Sequence, residues 1–420
     1  MRNFFIIVLL FLFLPPVSAS AQSEQTIVAE MQKHGVAFTD DNSIVVFKNG
    51  QEKFDDMFPA IRNAKHTVHL EYFNFRNDSI ASLLFDILAE KVKEGVKVRA
   101  LFDGFGNDSN NKPLKKSHVE ALRQRGIEIY EFDPIRFPWV NHIWPRDHRK
   151  IVVIDGQIAY TGGMNVADYY VNGTPEMGTW RDMHCRIEGS AVNELQDIFV
   201  RMWNKTTGQC ITSAGQFLGG MSYTESGLKV DTTATRCHKK VGIINREPHT
   251  SNKIMRQFYC TAIDSAKSHI QIINPYFTLL PCVKKSLRRA LKRGVRVEIL
   301  ISLHSDIPLT PDCAFFQCHT LMKCGAEVYI YKPGFHHSKI MMVDDAYCTI
   351  GSTNLDSRSL SADYEVNTLI VDKNTTAELT SIFEADKKDS FLLTPETWNQ
   401  MRTRWQKTRG WFAHLLAPFL

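Results

Sequence analysis

Two short segments of this 420-residue chain carry the same reactive side chains at the same spacing. One reads His148-Arg-Lys150-Ile-Val-Val-Ile-Asp155 and continues to Gly162-Gly163-Met-Asn165; the other reads His337-Ser-Lys339-Ile-Met-Met-Val-Asp344 and continues to Gly351-Ser352-Thr-Asn354. In both, the Asp stands five after the Lys, the Gly seven after the Asp, and the Asn three after that Gly. The apolar run after each Lys predicts a buried strand. Side chains two apart on a strand share a face, so His148 and Lys150 are expected side by side, as are His337 and Lys339. Asp155 and Asp344 fall at odd separation, facing the other way, and are expected to fix the turn that follows.

A His and a Lys supplied twice suit phosphoryl chemistry. One imidazole can attack phosphorus while the other protonates the leaving alkoxide. Two ammonium groups and the amides of Asn165 and Asn354 can neutralise the non-bridging oxygens as charge builds. A single His-x-Lys in a chain with 15 His would be an ordinary solvated strand. Recurrence of the entire spaced pattern makes it a site. No carboxylate cluster stands beside either motif, so neither metal nor cofactor is expected.

The elements that must position these residues are themselves repeated. Ala60-Ile-Arg-Asn-Ala-Lys reads against Ala262-Ile-Asp-Ser-Ala-Lys, and both stretches run on to Tyr-Phe, at Tyr72-Phe73 and Tyr276-Phe277. Further on, Gly95-Val-Lys-Val matches Gly294-Val-Arg-Val, and Gly126-Ile-Glu-Ile-Tyr matches Gly325-Ala-Glu-Val-Tyr. Helix-length amphipathic runs end at these glycines and β-branched runs follow, the pattern of an α/β layered domain present twice. The polar, turn-rich stretch from Thr206 to Asp231 reads as the linker between a first domain, 22–230, and a second, 231–420.

Composition bounds the partners. With 44% hydrophobic and 23% charged residues the chain is a folded one, neither disordered nor multi-span. A net charge of +5 suits a phosphate-bearing or anionic-membrane partner and is too small to call for nucleic acid. Cys313, Cys318 and Cys324 match no common zinc pattern and are read as buried free thiols. At the N-terminus, Arg2, the apolar run Phe4 to Leu14, Pro15-Pro16 and Ala19-Ser20-Ala21 describe a signal peptide, residues 1–21, cleaved before Gln22, with an uncleaved anchor the alternative. At the C-terminus, Trp398, Arg402, Arg404, Trp405, Lys407, Arg409 and Trp411 lead into the apolar tip Phe412–Leu420. Such a tail suits either a membrane interface or docking on its own domain.

The two His-x-Lys-x4-Asp motifs with their trailing Gly-Gly/Ser-x-x-Asn resemble the phospholipase D superfamily over essentially the whole chain after residue 30. Leu70-Glu-Tyr-Phe73, the first motif, Trp180-Arg-Asp-Met-His184, Asn274-Pro-Tyr-Phe277 and the C-terminal tip look like bacterial cardiolipin synthases. That resemblance implies two mixed-sheet α/β domains flanked by helices, related by a pseudo-twofold, with one active site between them. It implies a phosphohistidine intermediate, with His148 as nucleophile and His337 as acid, and counts Asp155 and Asp344 with the catalytic motifs. It also implies an acid after each Asn to orient the imidazoles, for which Asp182 and Glu365 are the candidates, and Glu71 is a candidate for the pocket lining. The implied reaction condenses two phosphatidylglycerols to cardiolipin and glycerol at a membrane, and the signal-like N-terminus places it on an exported or periplasmic face. A hydrolytic phospholipase D needs the same residues, and a nuclease of the same superfamily is the reading from another class. Tyr72, Phe73, Tyr276 and Phe277 are candidates for an apolar shelter that keeps water from the intermediate, with core packing the alternative for the two Phe.

Overall fold

The computed structural model describes residues 19–135, 144–212, 238–307 and 310–415. The expected signal peptide up to residue 18 and the linker from 213 to 231 lie outside the described residues. In the first half the strands are β1 (Phe38–Phe47), β2 (Thr67–Tyr72), β3 (Lys97–Asp103), β4 (Glu128–Phe132), β5 (Ile151–Ile154), β6 (Ile158–Gly162), β7 (Thr179–Arg181) and β8 (His184–Glu188). In the second they are β9 (Lys239–Arg246), β10 (His269–Ile273), β11 (Arg296–Ser302), β12 (Glu327–Tyr331), β13 (Gly334–His336), β14 (Ile340–Val343), β15 (Tyr347–Gly351), β16 (Glu365–Val371) and β17 (Ser390–Leu392).

Fifteen of these strands form one sheet in the order β17-β12-β11-β10-β14-β15-β16-β9-β1-β8-β6-β5-β2-β3-β4. The order is its own mirror about the β9–β1 pair, apart from the extra edge strand β17. β2, β3 and β4 run parallel, as do β10, β11 and β12, while β5 and β14 return antiparallel beside β2 and β10. Each half is therefore the expected mixed α/β layer, and the halves join edge to edge through antiparallel β1 and β9.

Local sequence explains the units. Helices Ser79–Lys93 and Pro281–Lys292 each stop two residues before a glycine with positive φ, Gly95 at 91° and Gly294 at 84°, and the parallel strand follows. The strands read as near-continuous apolar runs because both faces are covered: β5, β6, β14 and β15 are buried throughout. Burying an Ile, Val or Leu from such a strand contributes roughly 1.5–3 kcal/mol.

Two features differ from the sequence reading. The helix Ala19–Lys33 begins the described chain and spans the expected cleavage point between Ala21 and Gln22. Its Ile27 and Met31, with Val36, are buried in the core of the second half against Met255, Phe258 and Tyr259, so the start of the first domain packs with the second. Cys313 and Cys318 are buried as expected, but Cys324 is exposed beyond the helix Thr310–Met322.

Candidate active site

Each motif histidine sits in the extended lead-in to a central strand, not on the strand itself: β5 begins at Ile151 and β14 at Ile340. The lead-ins are pinned to the opposite half. The His148 N–H donates to the Tyr364 carbonyl at 3.0 Å, and the His337 N–H donates to the Arg181 carbonyl at 2.6 Å. A parallel bridge joins Asp147 to Tyr364, and β13 pairs in parallel with β7. Backbone pairing across the pseudo-twofold thus brings the two histidines to one place.

The side-chain pairing also crosses. His148 Nδ1 lies 3.0 Å from Glu365 Oε1, and His337 Nδ1 lies 2.8 Å from Asp182 Oδ2. Each imidazole is therefore oriented by a carboxylate from the other half. Gly163 and Ser352 hold equivalent places in the motifs and tune these acids differently. A Cβ at Gly163 would stand 2.2 Å from Asp182 Oδ1, so only glycine lets that carboxylate in. Ser352 instead donates its hydroxyl to Glu365.

His148, His337, Asn165 and Asn354 line a single cavity of about 1160 Å³. Lys150 and Lys339 stand behind the histidines, fully buried; Lys150 Nζ donates to the His148 carbonyl at 2.5 Å, and Lys339 Nζ lies 3.0 Å from His337 Nε2. Burial pulls these ammonium groups down, Lys150 to about 7 and Lys339 to about 8. Burial, with the neighbouring cations, also holds both imidazoles below the usual histidine range, His148 the further of the two. Burial pushes the Asp182 carboxyl up, but Lys339 and His337 outweigh it and keep it below the ordinary value. Glu365 goes the other way, pushed by burial up to about 7.

That last shift predicts a pH-dependent stability. The native state holds the Glu365 proton more tightly than the unfolded chain, where Glu titrates near 4.3, so this group costs stability as pH rises toward about 7. E365Q is expected to melt above the wild type at pH 8, with the gap closing by pH 4.5, while turnover falls. A gap independent of pH in thermal melts would contradict this assignment.

The remaining expected residues lie elsewhere. Asp155 and Asp344 sit at the far ends of β5 and β14 with φ of 52° and 54°. The Asp155 carboxylate accepts from the N–H groups of Lys65, His66 and Thr67 at 2.7–2.8 Å, and Asp344 does the same with Lys267, Ser268 and His269 at 2.7–3.0 Å. They fix turns and do not line the cavity, so they are removed from the reacting groups. Glu71 does not line it either: it is buried against Arg149, Oε1 to Nε 2.8 Å, tying β2 to the motif backbone.

The aromatic assignment also changes, for a reason of register. β2 pairs Leu70 with Val152, and β10 pairs Ile272 with Met341, where Val152 and Met341 each stand four after their histidine. Leu70 therefore corresponds to Ile272, Asn74 to Tyr276 and Phe75 to Phe277; the matching Tyr-Phe pairs are out of step by two. Phe73 lines the cavity with its ring 5.0 Å from that of His148, and Tyr276 lines it with its ring 5.8 Å from His337 and its hydroxyl on Asp306 at 2.7 Å. Tyr72 and Phe277 are core.

Other lining groups were not among the site residues expected from sequence: Asn74, Arg76, Thr278 and Arg358, and Trp180, which entered only through the resemblance. Each has a buried polar atom with no hydrogen-bond partner inside the protein, as do Asn165 Oδ1 and Asn354 Oδ1. Unmet donors and acceptors cost about 1–3 kcal/mol each when dry, so such a lining is built for a polar guest. Arg358 follows Asn354 by four, and that spacing was the available signal.

Comparison with known proteins gives the family and the fold. The family described as cardiolipin synthase, PLD-like domain, matches residues 57–203 and 259–387. Cardiolipin synthase 1 of Bacillus cereus is 35% identical over 89% of this chain and 71% of its own length. The cardiolipin synthase of Halalkalibacterium halodurans is also 35% identical, over 89% of this chain and 72% of its own. Among solved structures, phosphatidylserine synthase from Haemophilus influenzae superposes with a TM-score of 0.71 over 94% of this chain and all of that one, at 14% identity, a likeness of fold. With two crossed His–acid pairs in one cavity and relatives of this closeness, the chain belongs to the cardiolipin synthase, PLD-like domain family.

Proposed function

We propose that this chain is a phosphatidyltransferase that condenses two phosphatidylglycerol molecules into cardiolipin and glycerol at an anionic membrane surface. The observation that carries the reading is the crossed pairing: His148 with Glu365 and His337 with Asp182, both imidazoles facing one cavity. A carboxylate on Nδ1 leaves Nε2 of His148 for attack, while Nε2 of His337 shares its edge with Lys339 Nζ at 3.0 Å. His148, kept neutral by burial and by the cations around it, attacks phosphorus of the first lipid. The bond from phosphorus to the glycerol oxygen breaks, and His337, its positive charge supported by ionised Asp182, protonates that oxygen. The hydroxyl of a second phosphatidylglycerol then gives its proton to His337 and attacks phosphorus, and the bond to His148 breaks. Lys150, Lys339, Asn165 and Asn354 supply the positive charge and amides that the non-bridging oxygens need.

The exported placement rests on the apolar run Phe4 to Leu14 and the small residues after it. No helix among the described residues is long and apolar enough to cross a membrane.

Purified protein given phosphatidylglycerol alone is expected to yield cardiolipin and free glycerol in a one-to-one ratio, resolved by lipid chromatography and a glycerol assay. Phosphatidic acid as the main lipid product would replace this reading with a hydrolase.

A further inference from the structure

The last helix, Arg404–Leu415, presents its apolar side to the outside. It packs on the helix Thr310–Met322 through Gly410 and Ala413, both buried, and His414 stacks on Phe316 at 5.0 Å. A Cβ at Gly410 would stand 2.6 Å from the Asp312 carbonyl oxygen, so the glycine permits this close approach. Arg402 and Arg409 both pair with Asp312 and lock the orientation. On the opposite face Trp405 is 69% exposed, Phe412 57%, Leu415 50% and Trp411 46%. At about 100° per residue, these four with Arg404 and Thr408 share an arc of roughly 120° centred opposite Gly410 and Ala413. A soluble helix ordinarily does the reverse.

Among the described residues, the large apolar side chains that stand exposed are Leu83, Leu392, the four above, and Trp144 and Ile307, and the last two line the cavity. The supporting helix Thr310–Met322 starts at Thr310, which also lines it. Charge selects the partner: after Glu396 the chain carries no acid, and with Arg402 and Arg409 paired to Asp312, Arg404 and Lys407 are the cations beside the stripe. Indoles and aliphatics flanked by cations match the boundary of an anionic bilayer, rings at the acyl edge and cations on the headgroups. We infer that the outer face of Arg404–Leu415, together with exposed Trp144 and Ile307 at the cavity, is the surface on which this protein sits on anionic lipid, turning the cavity mouth toward the headgroups. The inference deepens the function proposed above and rests on it for why the cavity must face lipid.

The test reads the indoles directly, so it does not depend on any other contact the chain makes with lipid. The full chain is mixed with vesicles of phosphatidylglycerol and brominated phosphatidylcholine, and quenching of tryptophan emission is recorded. The wild type is expected to be quenched, W405F/W411F to lose at least two thirds of that quenching, and T408E, which puts a carboxylate mid-stripe, to lose nearly all of it. Melting curves confirm that the variants stay folded. Equal quenching of wild type and W405F/W411F, or none lost in T408E, overturns the proposal. So does a wild-type dimer that T408E dissociates without any effect of lipid, which would assign the stripe to a second copy. Quenching as expected with no cardiolipin or phosphatidic acid formed leaves the surface standing and removes the proposed function instead.

Discussion

Replacing either His148 or His337 by Ala is expected to lower transphosphatidylation at least ~10⁴-fold, and the double variant is expected to be no worse than the singles. The two rings face one cavity, and each is oriented by the other half's carboxylate. One ring without the other leaves either no nucleophile or no acid, and both losses abolish the same turnover. Groups that act as a unit are non-additive, so losses that multiplied in the double variant would mean two separate sites. D182N and E365Q are expected to fall between these variants and wild type, because each leaves its histidine in place with a weaker orienting partner. Initial rates on phosphatidylglycerol, with melting curves to confirm folding, decide the matter.

The second large effect concerns water. A phosphohistidine in a synthase must outlast attack by water at about 55 M until a lipid hydroxyl reaches it, which requires a dry and pre-ordered site. Phe73 edge-on to His148 and Tyr276 edge-on to His337 are the rings placed to keep it dry. F73N and Y276N are each expected to raise the ratio of phosphatidic acid to cardiolipin by about tenfold, with total turnover falling less. Tyr72 provides the control. It is fully buried in the first-half core, so Y72L is expected to lower stability by about 1–3 kcal/mol and leave the ratio unchanged. Labelled phosphatidylglycerol and product analysis separate the two behaviours. A ratio that moves in Y72L and not in Y276N would reverse the assignment.

That reversal of roles between Tyr72 and Phe73 shows where sequence reasoning loses its grip. The repeated Gly-terminated helices, the apolar runs and the doubled motif are local patterns, and they led directly to a duplicated α/β fold with His148, Lys150, His337 and Lys339 as its chemical groups; the mixed sheet came from the family resemblance. Identical Tyr-Phe pairs, however, misled by two positions: strand pairing keeps the offset of 202 that matches Ala60 to Ala262, so Phe75 and not Phe73 matches Phe277. The odd separation of Asp155 and Asp344 from their lysines already indicated turn-fixing, and their three backbone donors apiece account for that placement. Glu71 carried no such local signal, because its partner Arg149 lies on a different strand lead-in. Nor could the sequence show that Asp182 serves the histidine 155 positions later. Such crossings belong to the pseudo-twofold, and no window along the chain contains both partners. The N-terminal helix is the same case: its apolar positions are legible, but not that they fill the core of the other half.

The account stands on a covalent lipid–histidine intermediate in a site shared by both halves, and rapid quenching tests it most directly. Wild-type protein is mixed with phosphatidylglycerol labelled on phosphorus, stopped within one turnover, and digested to locate the label. The account predicts an acid-labile, alkali-stable phosphohistidine at His148, absent from H148A, that chases into cardiolipin when unlabelled phosphatidylglycerol is added. No label on the protein while cardiolipin still forms, or label that chases only into phosphatidic acid, would contradict it.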